Sequence, residues 1–105
     1  MEKDKDKDFF NILRKIHSKP HYSQREISSE LGLSLGKINY CLKELKKKGL
    51  IKISNFKKNK EKINYIYLLT PKGIVFKTKT TINFMKLKMK EYDELSKEIK
   101  IDKKN

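Results

Sequence analysis

The run SLGKINYCLK, Ser34 to Lys43, holds the side chains of this chain best suited to engaging a partner chemically. Lys37 brings a cationic donor, Asn39 an amide that both donates and accepts, Tyr40 a hydroxyl on an aromatic ring, and Lys43 a second cation one turn beyond Asn39. Ser34 and the bare backbone at Gly36 add a hydroxyl and unhindered N–H groups. An enzyme is the poorest reading of this set, because no paired carboxylates, no nucleophile beside a base and no Gly-rich phosphate loop stand in a plausible site. The groups suit nucleic acid better. Lysine reaches guanine O6 and N7, asparagine pairs with adenine N6 and N7, and tyrosine contacts a phosphate or a thymine methyl. Ser34 and the free N–H groups near Gly36 suit a phosphate at a helix N-terminus.

Other reactive residues fall away on inspection. Asp4, Asp6 and Asp8 echo the start of a calcium loop, but its glycine and glutamate positions hold Phe9 and Lys15. Cys41 is the single cysteine, so it forms no internal disulfide, and it has no ligand partner at zinc spacing. It falls on an apolar stripe, where a small core residue is expected ahead of a redox sensor. His17 and His21 lack partners at catalytic or metal spacing. No metal site and no cofactor is called for.

The elements that must aim the candidate residues are legible around them. Phe9, Ile12, Leu13 and Ile16 recur at helical spacing until Pro20 stops the run, which predicts a helix over roughly 8–18. In YSQREISSEL, Ser23 and Glu26 form a capping box and Tyr22 can staple against Ile27, so a second helix starts at Gln24. Its inward face is Ile27 and Leu31, and Gly32 supplies the left-handed residue that commonly closes a helix. Ser34 then caps a third helix with the stripe Leu35, Ile38, Cys41, Leu42 and Leu45, ended by Gly49, and Leu33 would plug the angle between the two helices. A helix pair joined by about three residues including Gly, the second helix polar and cationic outside, is the helix-turn-helix pattern.

After Gly49, LIKIS and INYIYLL read as two strands of a hairpin, with NFKKNKEK between them as a charged tip. Its Lys57, Lys58, Lys60 and Lys62 suit phosphates and would supply affinity and salt dependence more than sequence choice. Thr70 and Pro71 open a last helix running to about 101. Within it Ile82, Met85, Met89, Tyr92 and Ile99 follow 3-4 spacing, with Ser96 in the intervening seam position. At ~45 Å for about 30 residues, that helix is too long to pack wholly on so small a domain and should pair with another copy. The expected fold is mainly α (α+β): a winged helix-turn-helix over 8–70, a long C-terminal dimerisation helix over 71–102, and a frayed, sign-alternating lead-in over 1–7.

Charge supports the same partner. The net +14 is unevenly placed: residues 1–30 hold seven Lys/Arg against six Asp/Glu, 31–90 sixteen against two, and 91–105 four against five. A basic middle concentrates a polyanion, and phosphate backbones are the commonest one for a small basic domain to meet. Twenty-five of the 27 basic residues are Lys, a bias that an AT-rich genome also produces. At 105 residues and 36% hydrophobic content the chain is one domain with a modest core. No apolar run of membrane-spanning length and no signal-peptide pattern is present, so a soluble cytoplasmic protein is expected.

The order helix, helix-turn-helix, wing and long helix resembles the MarR family of bacterial transcription regulators, over 8 to about 100. It is most similar to the short subgroup associated with exopolysaccharide (EPS) gene clusters. The most specific stretches are YSQREISSELGLSLGKINYCLKELKKKGLI, with Ser34, Leu42, Leu45, Gly49, Leu50 and Ile51 in pattern, and YLLTPKG from Tyr67 to Gly73. The resemblance implies a homodimer on near-palindromic duplex DNA, the third helix in the major groove and the wing along the adjacent minor groove. Larger members build their dimer from a longer N-terminal helix and two C-terminal helices, whereas this chain has one, so no small-molecule effector is carried over.

The leading expectation is therefore a sequence-specific DNA-binding regulator. Ser34, Gly36, Lys37, Asn39, Tyr40 and Lys43 would form its recognition face, and Ser23, Gln24 and Arg25, at the start of the helix that crosses the backbone in this motif, would add phosphate contacts. The alternative is a winged-helix protein-docking module whose basic surface is incidental.

Overall fold

The computed structural model describes residues 2–59 and 62–104, with side chains described over 6–55 and 65–103. In chain order the elements are α1 (Glu2–Ser18), α2 (Gln24–Leu31), α3 (Leu35–Lys47), β1 (Ile51–Asn59), β2 (Lys62–Leu69) and α4 (Pro71–Lys104). This is the expected mainly helical winged helix-turn-helix with a two-stranded wing and a long C-terminal helix.

The core is built where the periodicity places it. Phe9, Ile12, Leu13 and Ile16 of α1 meet Ile27 of α2 and the α3 residues Ile38, Cys41, Leu42 and Leu45, all buried. Leu50, Ile51 and Tyr67 close it from the root of the wing. Burying the larger of these side chains stabilises by about 1.5–3 kcal/mol each, which is what holds so small a domain together.

Three expectations need correction. α1 begins at Glu2, so the helix expected over roughly 8–18 starts earlier than the sequence marked. The helix established by the apolar turns from Phe9 onward runs back through residues 2–7, since propagation from an existing helix is easier than nucleation. Leu35 does not join the buried stripe and is 41% exposed. It is the first residue of α3, and the buried stripe begins one turn later at Ile38. The wing is also longer than LIKIS and INYIYLL: β1 and β2 pair antiparallel from Ile51↔Leu69 to Asn59↔Lys62, with a bulge between Lys57 and Asn59. Backbone ladder bonds do not depend on side-chain polarity, so a two-stranded arm continues after its apolar residues end.

α4 leaves the domain in a direction fixed by four polar contacts at its start. Thr70 Oγ1 donates to Gly49 O at 2.6 Å and accepts from Gly73 N at 3.0 Å. Thr70 N donates to Leu50 O at 3.0 Å, and Lys72 Nζ to Lys48 O at 3.0 Å. Gly73 is required by this closeness, since a Cβ there would stand 1.9 Å from the Leu50 carbonyl oxygen. Farther along, Phe84 stacks on Phe10 of α1, ring centroids 4.9 Å apart and planes inclined by 11°. That partner explains why Phe10 is buried although it lies off the α1 stripe read from sequence. With 34 residues α4 is about 51 Å long, and it stretches the molecule to 71 Å against 26 and 24 Å in the other directions. Among the described residues no helix is long and apolar enough to cross a membrane.

Candidate nucleic-acid interface

The turn between α2 and α3 aims the candidate face. Gly32 adopts φ 66°, where other residues are strained, and its N–H and that of Leu33 both reach the Ser28 carbonyl. Ser28 Oγ donates back to the Leu33 carbonyl, and Leu33 packs against the core, so the turn is tied from both sides. Ser34, extended at φ −65° and ψ 153°, accepts from Lys37 N at 3.1 Å and starts α3. At the far end Leu50 N bonds Leu45 O and Gly49 N bonds Lys46 O, both at 3.0 Å, satisfying the last carbonyls before the wing.

With about 100° of rotation per residue, the buried positions of α3 define which side chains face out. Gly36, Tyr40 and Lys43 lie on the exposed side, joined by Lys47 from the last turn. The sequence already sets Lys47 on this polar, cationic face by its i+4 spacing from Lys43, although it is not among the residues expected to contact DNA. Lys37 and Asn39 sit on opposite flanks and each is held by a neighbouring helix. Lys37 Nζ lies 3.3 Å from Asp8 Oδ2 of α1. Asn39 Nδ2 donates to Gln24 Oε1 of α2 at 3.3 Å, and Gln24 Nε2 donates to the Tyr67 hydroxyl on β2 at 3.2 Å. No local sequence signal could have found the Asp8–Lys37 pair, since its members are far apart in the chain.

The start of α2 stands beside this face. Ser23 Oγ accepts from Glu26 N and Ser23 N donates to Glu26 Oε1, both at 3.2 Å, so the capping box is formed and the Ser23 hydroxyl hydrogen is left for an acceptor. Arg25 is exposed. Gln24, expected to touch phosphate, is half-buried and turned toward α3 and β2. Tyr22 donates to Glu30 at 3.3 Å, and the Glu30 charge raises the phenol above its ordinary pKa. Of the wing residues, Lys60 lies outside the described residues, and the side chains of Lys57, Lys58 and Lys62 lie outside those described. Ile82, Met85, Met89, Tyr92 and Ile99 are all exposed along α4, as is Leu95 beside that seam.

The arrangement matches known proteins in fold. A family model described as winged helix-turn-helix DNA-binding matches residues 10–52. No curated protein matches the sequence. Among solved structures, the chain is similar to Staphylococcus aureus MarR in complex with salicylate and kanamycin, with TM-score 0.67 and 24% identity over 83% of this chain and 57% of that one. Streptococcus pneumoniae FabT in complex with DNA gives TM-score 0.65 and 21% identity over 85% of this chain and 59% of that one. A zinc-responsive MarR family member, Lactococcus lactis ZitR, gives TM-score 0.62 and 24% identity over 87% of this chain and 58% of that one. The chain thus spans under three-fifths of the length of each of these structures.

Proposed function

We propose that this chain is a MarR-type transcription regulator that binds duplex operator DNA as a homodimer, with α3 in the major groove and the wing on the backbone or minor groove. The observation that carries the reading is the solvent-facing stripe of α3, Gly36, Tyr40, Lys43 and Lys47, flanked by Lys37 and Asn39 on a helix braced by α2. A convex helix bearing cations and planar hydrogen-bonding groups fits the major groove, and it fits an enzyme pocket badly. The fold shared with FabT, whose structure was determined with DNA, supports the same partner.

The exposed 3-4 seam of α4 is the dimer surface in this reading. Two copies joined there would present their α3 helices to half-sites about one helical turn, ~34–36 Å, apart. The likeness of Tyr22–Ile51 and Tyr67–Gly73 to the EPS-associated subgroup extends the proposal to exopolysaccharide genes and to a cytoplasmic location.

The test is fluorescence anisotropy of labelled duplexes titrated with the protein at several salt concentrations. Binding that weakens steeply with salt is expected, and absence of binding at low salt would sink the reading. Against the protein-docking alternative, Lys37→Ala with Asn39→Ala should abolish discrimination between operator and random duplex while leaving the circular dichroism spectrum unchanged.

A further inference from the structure

We propose that Gln24 is the positioning residue for Asn39, holding its amide turned so that it selects adenine; the inference rests on the DNA-binding reading above. Gln24 is the first residue of α2, yet its side chain bridges α3 and β2. One end is anchored: Gln24 Nε2 donates at 3.2 Å to the hydroxyl of Tyr67, a buried residue whose backbone N–H reaches Pro20 O at 3.4 Å. The other end, Oε1, accepts from Asn39 Nδ2 at 3.3 Å.

The direction of that second bond sets what Asn39 can offer. A carboxamide has one carbonyl acceptor and two N–H donors in a plane. With one N–H tied to Gln24, Asn39 keeps the other N–H and an Oδ1 that has no partner among the described residues. An acceptor beside a donor is complementary to adenine, which offers the N6 amino group and N7 in the major groove. Guanine offers two acceptors there, O6 and N7, and would leave Oδ1 facing a lone pair. Turned the other way, with Oδ1 already accepting from Gln24, Asn39 would turn its amino group toward the base, and the preference for adenine would be lost. Gln24 thereby acts on base choice through Asn39 without touching DNA, in contrast to the phosphate role expected from sequence.

The test is selection of bound duplexes from a random pool by the full chain and by Asn39→Ala, Gln24→Ala, Gln24→Glu and the double alanine variant. A carboxylate can only accept, so Gln24→Glu should still hold the Asn39 N–H and keep the adenine preference even as its charge weakens binding overall. Gln24→Ala should relax one adenine position per half-site by on the order of tenfold, the discrimination of a bidentate contact, with other positions unchanged. The double variant should be no worse there than Asn39→Ala alone. Three results would overturn the inference: Gln24→Ala weakening all sequences equally with a shallower salt slope, Gln24→Glu losing adenine, or Asn39→Ala selecting the wild-type sites. A wild-type chain that enriched no sequence would overturn the DNA reading and this inference with it.

Discussion

Lys43 and Lys37 are both lysines on the same helix, but their surroundings assign them different tasks. Lys43 stands outward with no carboxylate paired to it among the described residues, whereas the Lys37 ammonium lies 3.3 Å from Asp8. For Lys43→Ala we expect binding to weaken about equally for all duplexes, with the slope of log affinity against log salt reduced by about 1. Anisotropy over a salt series reads this directly. Asp8→Asn should leave Lys37 less restrained, changing relative preference among operators more than the salt slope. Ser34 also acts before any partner arrives, because its oxygen caps α3. Ser34→Ala should cost about 1 kcal/mol, lowering the melting temperature by roughly 4–8 °C for a domain of this size, and calorimetry would show it.

Among the elements, the start of α4 controls how the long helix leaves the DNA-binding domain. Thr70 grips the turn that follows α3 while Gly73 lets the first turn of α4 lie against the Leu50 backbone. A methyl group at Gly73 must push that turn away, so Gly73→Ala should destabilise by about 1–3 kcal/mol in urea unfolding. Thr70→Val should act in the same direction by removing both side-chain hydrogen bonds. The Phe10–Phe84 stack adds a second attachment farther along, this one between α1 and α4. Phe84→Ala should loosen α4 from α1 and lower stability by about 3–5 kcal/mol at most, less where the site stays open to solvent.

For the whole molecule, the extended shape and the apolar seam are one fact seen twice. A 71 Å particle whose longest helix shows Met85, Met89, Tyr92 and Ile99 to solvent has a surface that a second copy would cover. Large exposed apolar patches commonly mark such contacts. Met89→Glu should shift the chain toward monomer in sedimentation and weaken binding to a two-half-site duplex far more than to a single half-site. A wild-type monomer at high micromolar concentration would exclude α4 as the interface.

The local sequence determined the elements whose cause is local. Ser23 with Glu26, Gly32, Ser34, Gly49 and Thr70 mark helix ends through bonds between residues a few positions apart, so caps and turns could be read without a fold. The apolar period likewise named Ile12, Ile27, Ile38 and Leu45 as core, because a helix has only one face to bury. The tertiary structure alone decided what depends on distant partners. Phe10 became buried because Phe84 arrives from α4, Leu35 at the start of α3 was left exposed, and Gln24 turned inward because Tyr67 and Asn39 lie there to receive it. Hydrogen bonds and stacking across such separations leave no periodic trace along the chain, since each needs a single partner residue and not a repeated pattern.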